Sequence, residues 1–340
     1  MKSIPVAQAI GQVLGHDVTR IVPGEGKGPA FKKGHIIRRQ DIPTLLDIGK
    51  AHVFVLDIGS DMLHEDQAAA RLARAAAGPG LELTSPSEGR INMTAATDGL
   101  LSIQVQALHR LNAMGDIVFS TLHTHHRVDA GRAVAGTRVI PLTIAEATIA
   151  QAEDLCRENY PLIQVKPFRP LRVGLVTTGS EVFHGRIPDR FGPVVTRKFE
   201  ALGCRITRQV LVSDDIAKTA VAIRGLMDDG AQMVVVTGGM SVDPDDCTPA
   251  AIRAAGAKVV VYGAPAFPGA MFMLAHIGGI PVLGLPGCVM YYRTSIFDLV
   301  VPRLVAGETV TREDIVRLGH GGFCSGCPEC RYPLCGFGSG

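Results

Sequence analysis

The chain has no tryptophan, and aromatic residues make up only 5% of its 340 positions. Platforms on which single-stranded bases could stack are therefore scarce. An excess of either charge is missing as well: 34 basic side chains stand against 32 acidic ones, and a net charge of +2 supplies no field that would draw the protein to nucleic acid or to an anionic membrane. The opening MKSIPVAQAIGQVLGHDVTR lacks the continuous apolar core and small-residue cleavage site of a signal peptide, so a cytoplasmic location is expected. Residues 259–292 contain no Asp, Glu, Lys or Arg. Pro265, Pro268, Pro281 and Pro286, together with six glycines, cut that run into pieces too short for a membrane helix, which leaves buried strands and turns.

What is present is enough apolar material, 46% of the chain, to fill the cores of two or three domains. From residue 171 onward, strand-like and helix-like segments alternate. LRVGLVTTG, CRITRQVLV, AQMVVVTGG, KVVVYGAPA and GIPVLGLPG read as strands. GPVVTRKFEALG, DDIAKTAVAIRGLMDDG, TPAAIRAAG and a segment from about Val289 to Val305 read as helices. This rhythm predicts a three-layer α/β domain, residues 169–308, with a mostly parallel sheet covered on both faces. The preceding residues 1–168 predict a β-rich α+β region: KAHVFVLDIG, EGRINMTAATDGLLSIQV and GDIVFSTL look like β-structure, and HEDQAAARLARAAAG like an amphipathic helix. Residues 309–340 form a cysteine-bearing tail.

Ligands of such sheets bind at the carboxyl ends of the strands, where the turns TTGSE, TGGMS and LPGC fall. Glycines there let an anion approach bare backbone N–H groups. The stretch MVVVTGGMSVDPDDCT adds Asp243, Asp245 and Asp246 within a few positions. Carboxylates would repel a phosphate unless a divalent cation bridged them, so the combination points to magnesium-assisted handling of a phosphate or oxyanion. A solvated acidic turn, with Asp246 or Thr248 capping the next helix, accounts for the same residues.

TTGSEVFHGRIPDR, LVSDD, TGGMSVDPDDCTPAA and GLPGC, in that order on one domain, resemble the molybdopterin-binding domain shared by the MoeA/gephyrin molybdotransferases and the MogA-type adenylyltransferases. The resemblance covers residues 171–305 and extends weakly to VAQAIGQVLGHDVTRIVPG at the N-terminus. It implies that Gly238, Gly239 and Ser241 line the pterin phosphate site, and that Asp214 and Asp246 are catalytic acids that hold magnesium or polarise the phosphate. Glu181 and Asp189 match family acids that either bind the cofactor or orient loops. Gly179, Thr248, Pro286 and Gly287 complete the expected cofactor-binding set, and Asp214 has an alternative reading as a helix cap. Two departures stand out. Ala270 and Met271 replace the lysine and proline of the family's PGKP, and Cys288 stands at the asparagine of its LPGNP. The DDCTP segment is closer to the adenylyltransferases, and the cysteine tail stands where MoeA-type chains carry a β-barrel.

Cys324, Cys327, Cys330 and Cys335 follow a C-x2-C-x2-C-x4-C spacing that suits tetrahedral zinc or an iron–sulfur cluster; free thiols in a glycine-rich tail are the plain alternative. His123, His125 and His126 in TLHTHHR read as a solvated turn. Three functions compete. The resemblance favours an enzyme that binds molybdopterin and, with magnesium, adenylates it using ATP or inserts molybdate. The others are a non-catalytic carrier or maturation factor and a CinA-like nucleotide pyrophosphatase. Other cofactor-assembly proteins or a recipient molybdoenzyme would be partners, and relatives that build the site across a dimer imply a homo-oligomer.

Overall fold

The computed structural model describes residues 2–22, 26–55, 61–87, 89–244 and 246–339, the side chains of residues 21–22 and 26–29 aside. Asp245 and the end of the expected strand KAHVFVLDIG, residues 56–59, lie outside the described residues. The chain divides into two compact units. One comprises Met1–Thr97, Ile103–Leu122 and Asp129–Val165; the other comprises Asp98–Ser102, His123–Val128 and Lys166–Gly340. Among the described residues no helix is long and apolar enough to cross a membrane.

The first unit is α+β. Leu81–Leu83, Arg90–Ala95, Ala133–Val139 and Ile117–Thr121 form a four-stranded antiparallel sheet. The helix Glu65–Ala76 buries Ala68, Ala69, Leu72, Ala73 and Ala76, one apolar stripe at helical spacing. Its Arg71 guanidinium pairs with Glu146 and Glu153 on the helix Glu146–Glu158, at 2.8 and 2.7 Å. The helices Val105–Asn112 and Glu146–Glu158 were not expected from the sequence, although Ala107, Leu108 and Leu111 form a buried stripe on the first and Ile149, Ala152, Leu155 and Cys156 on the second.

The second unit contains the predicted α/β domain. Strands β1 (Arg172–Thr178), β2 (Arg205–Val212), β3 (Met233–Thr237), β4 (Lys258–Tyr262), β5 (Met273–Ile277) and β6 (Ile280–Leu285) form one sheet in the order β2-β1-β3-β6-β5-β4. Neighbours are parallel from β2 through β6, and β5 runs antiparallel to β6 and β4. Helices α1 (Phe191–Glu200), α2 (Ile216–Asp228), α3 (Thr248–Ala254), α4 (Ile296–Val305) and α5 (Arg312–Arg317) accompany it. Strand pleating sorts the core onto two faces. Val173, Leu175, Met233, Val235, Leu283 and Leu285 pack with α1, α4 and α5. Val176, Val234, Val236 and Val282 pack with α2 and α3. A strand buried on both faces must read as a continuous apolar run, which is why MVVVT carries no alternation.

Two elements differ from the sequence reading. β5 was hidden in the charge-free run, although Gly278 and Gly279, at φ +54° and +86°, make the two-residue turn that joins it to β6 as a hairpin. The single helix expected from Val289 to Val305 is two, Cys288–Tyr291 and α4. The break is set by a capping box: the Ser295 N–H donates to Asp298 Oδ2 at 2.8 Å, and the Phe297 N–H donates to Ser295 Oγ at 3.3 Å.

The C-terminal segment, expected as a separate tail, packs on this unit. Phe337 is buried in the α4 core, and Tyr332 donates its hydroxyl to the Asp298 carbonyl at 2.9 Å. The Gly338 N–H donates to the Gly321 carbonyl at 2.9 Å. The TLHTHHR turn is not solvated as expected. His126 is 6% exposed and faces Tyr332, with ring centroids 6.4 Å apart, while Ser339 Oγ lies 3.4 Å from its Nε2. His125 sits at φ +63°, its Nε2 3.5 Å from Glu308, which also pairs with Lys166 and Arg303 at 2.9 Å.

Burial, aided by His123, holds the His126 pKa down at about 4 against an ordinary 6.5. The folded state thus binds this proton more weakly than the unfolded chain, so the stabilisation is complete above pH 6.5 and is lost as pH falls toward 4. Urea midpoints measured across this window should fall with pH. His126→Gln should flatten part of that fall; His125, held at about 4 in the same direction, retains the rest.

Candidate functional site

The carboxyl ends of β1, β3 and β6 meet at one edge of the sheet, and the turns leaving them build the site. The turn after β3 is pinned from below. Thr248, 0% exposed, donates its hydroxyl to the Gly238 carbonyl at 2.9 Å and its backbone N–H to the Gly239 carbonyl at 3.1 Å. Thr178 Oγ1 lies 3.4 Å from Thr248 Oγ1. Gly238 and Gly239 have φ of +86° and +55°. A Cβ on Gly238 would run into the Thr178 carbonyl, and one on Gly239 would come within 3.0 Å of Thr248 Oγ1. The first demand for glycine here is therefore the close seating of the turn on its own protein, rather than the approach of a ligand.

Above this turn lies a cavity of about 820 Å³. Its floor includes Gly238, Gly239, Met240 and Ser241 from the β3 turn, followed by Asp243 and Asp246. Phe267–Met271 and the β6 turn Pro286–Cys288 form further walls with Tyr291 and Tyr292, and Phe323, Cys324 and Gly326 come from the C-terminal segment. Of the residues singled out in the sequence, Gly238, Gly239, Ser241, Asp246, Pro286, Gly287 and Cys324 come together here. The aromatic residues were missed. Their signal lay in the FPGAM and PGCVMYY stretches of the charge-free run, where Phe267, Tyr291 and Tyr292 remain exposed inside an otherwise apolar sequence.

The other expected site residues are not part of the described cavity lining. Asp214 accepts a hydrogen bond from the Ser180 N–H at 2.8 Å, joining the β2 turn to the β1 turn. The cap of α2 is its neighbour Asp215, which accepts from the Lys218 N–H at 2.9 Å. Asp189 accepts from the Phe191 and Gly192 N–H groups at 2.9 and 3.1 Å and from Gln209 at 2.6 Å, the pattern of a loop-orienting acid. Glu181 is exposed next to Gly179, whose φ is +140°. Burial raises the Cys247 thiol pKa, and Asp214, Asp215 and Asp246 raise it further, which places both expected catalytic acids within electrostatic reach of one thiol.

The cavity carries two carboxylates, Asp243 and Asp246, and no Lys, Arg or His among its described lining residues. Asp246 Oδ2 accepts from the Asp243 N–H at 3.3 Å, and the Asp246 N–H donates to the Asp243 carbonyl at 3.0 Å, so the acidic loop is self-braced. Oxygen donors of this kind suit Mg²⁺, which keeps most of its waters and takes one or two carboxylates together with a phosphate. Among the described residues no three His, Cys, Asp or Glu side chains gather to hold a metal ion. The four tail cysteines are accordingly dispersed: Cys324 lines the cavity, Cys327 is exposed, Cys330 Sγ lies 3.1 Å from Thr294 Oγ1, and Cys335 packs beside the core.

The turn geometry makes a paired prediction. Gly238→Ala should lower the melting temperature by several degrees, on the order of 2 kcal/mol, because backbone stands where the new methyl must go. Gly287→Ala has open space around it and should melt within about a degree of the wild type. Thermal denaturation of the two variants side by side checks both.

Residues 174–306 match a family model described as a probable molybdopterin binding domain, and residues 3–57 match a domain family of unknown function. A CinA-like protein of Mycobacterium sp. (strain MCS) is 33% identical over 81 residues, 24% of this chain and 19% of the relative. One from Mycobacterium tuberculosis (strain ATCC 25618 / H37Rv) is 32% identical over 77 residues, 23% and 18% respectively. The chain thus spans about a fifth of the length of these curated relatives. Among solved structures, the molybdopterin biosynthesis MoeA protein of Pyrococcus horikosii aligns at 15% identity over 90% of this chain and 74% of its own, with a TM-score of 0.35. CinA of Thermoplasma acidophilum aligns at 18% identity over 35% and 89%, with a TM-score of 0.31. Over residues 174–306, and so over the α/β domain that carries the cavity turns, the chain matches the family model of a probable molybdopterin binding domain.

Proposed function

We propose that this protein binds molybdopterin in the 820 Å³ cavity and acts on it with magnesium, inserting molybdate or adenylating the terminal phosphate. The observation that carries the reading is the pairing of a pinned diglycine turn with Asp243 and Asp246 at one wall of a cavity whose described lining has no cationic side chain. A phosphate cannot settle beside two carboxylates unaided. The donor set of Asp243, Asp246 and the Ser241 hydroxyl would hold Mg²⁺. When bound, the ion would supply charge neutralisation at the phosphate oxygens. The chain's own part is positional: Thr248 holds the turn, and Asp214 keeps the Ser180 turn in register with it. The apolar and aromatic walls exclude water from the ring system of the ligand.

A second reading is retained binding without turnover. It is favoured by Ala270 and Met271 at the positions of the family's Lys and Pro, where the cavity wall has no cation to stabilise a developing charge. The similarity to CinA-like proteins makes hydrolysis of ADP-ribose the activity to test as a control.

The deciding experiment incubates the purified protein with molybdopterin, ATP, Mg²⁺ and molybdate, and identifies the bound pterin by mass spectrometry. Conversion that depends on Mg²⁺ is expected. Unconverted but retained molybdopterin would support the carrier, and failure to retain any pterin would refute both readings. Asp246→Asn should reduce conversion roughly 100-fold with the melting temperature unchanged, because the side chain sits on a half-buried loop outside the core. Asp214→Asn keeps an oxygen for the Ser180 N–H and should fold normally. Wild-type turnover in that variant would restrict Asp214 to the loop-joining role.

A further inference from the structure

The C-terminal segment supplies one wall of the cavity, and it is built to hold one side chain there. Residues 322–324 run beside Phe267 in a parallel bridge: the Phe267 N–H donates to the Gly322 carbonyl, and the Cys324 N–H donates to the Phe267 carbonyl, both at 2.8 Å. Gly322 seats this pairing tightly, since a Cβ there would run into the Leu318 and Pro265 carbonyls. The segment is anchored further along by the Tyr332 hydroxyl on Asp298 and by the buried Phe337. Despite that fixed backbone, Phe323 is 76% exposed and Phe267 is 57% exposed, with ring centroids 6.4 Å apart and planes inclined at 48°. Both rings line the cavity. A phenyl ring carried on backbone fixed by the hydrogen bonds of its two neighbours, and left uncovered at a cavity, has a free π-face for a planar partner. With no cation among the described lining residues to attract an anion, stacking is an attraction these walls offer directly to a planar ligand.

We propose that Phe323, steadied by Phe267, is the stacking platform for the planar heterocycle of the ligand, so that the C-terminal segment is part of the binding site. The inference rests on the reading that the ligand is a phosphorylated pterin; the ring-recognition step would apply equally to another planar heterocyclic phosphate. Because Phe323 buries little of its own surface, its truncation leaves the fold undisturbed.

The test titrates the full chain, in the presence of Mg²⁺, with neopterin monophosphate, AMP and inorganic pyrophosphate, following the fluorescence anisotropy of the pterin and the heat of binding of the other two. Phe323→Ala should weaken neopterin monophosphate roughly tenfold while leaving pyrophosphate unchanged. Phe323→Tyr should bind within about twofold of the wild type, and Phe323→Leu should resemble the alanine variant, because bulk without a π-face does not suffice. Neopterin monophosphate binding that is unchanged in Phe323→Ala, or fully kept in Phe323→Leu, would overturn the stacking role with the pterin reading intact. If the wild type binds AMP but not neopterin monophosphate, and Phe323→Ala weakens AMP, the platform stands and the pterin reading falls. A wild type that takes up neither overturns both.

Discussion

The hydrogen bond from the buried Thr248 hydroxyl to the Gly238 carbonyl, 2.9 Å long, is the constraint on which the candidate site depends. It ties the first residue of α3 to the turn leaving β3, whose Gly238 in turn sits against the Thr178 carbonyl with no room for a side chain. Removing the hydroxyl would take one partner from a half-buried carbonyl, a cost of about 1 kcal/mol. The same bond fixes where the backbone of residues 238–241 faces the cavity and where the acidic loop that follows must begin. Glycine and threonine here solve one packing problem together, with the binding surface as its outer side.

Electrostatics gives the cavity its character. Its described lining has two carboxylates, no cationic side chain, and a wall of Phe267, Tyr291, Tyr292 and Phe323. Such a cavity disfavours a bare anion, and the proposed reading of a planar ligand whose phosphate arrives with a divalent cation answers to that charge pattern. Ala270 and Phe323 both line this cavity, so its described wall offers apolar and aromatic surface where a cation is lacking. Two clusters of charged groups serve the fold. Arg303, Lys166 and Glu308 form one half-buried network, and Lys198 holds both Asp298 oxygens at 2.9 Å at the start of α4.

The sequence by itself determined the α/β domain, because the pattern that signals it is local. Strands buried on both faces are continuous apolar runs, helices carry one apolar stripe, and glycine marks the turns between them. The diglycine turn and the acids after it were legible for the same reason. The tertiary structure alone decided which acid does what: Asp215 caps α2 while its neighbour Asp214 reaches the Ser180 N–H, a difference of side-chain direction that adjacent identical residues cannot reveal. It also decided that Thr248 supports the turn from beneath, and that four cysteines at metal-like spacing are spread over a packed segment. Phe323 became a cavity wall only through a backbone pairing with Phe267, 56 positions earlier in the chain. Contacts of that separation depend on where the chain returns in space, and no period or spacing in a linear sequence records them.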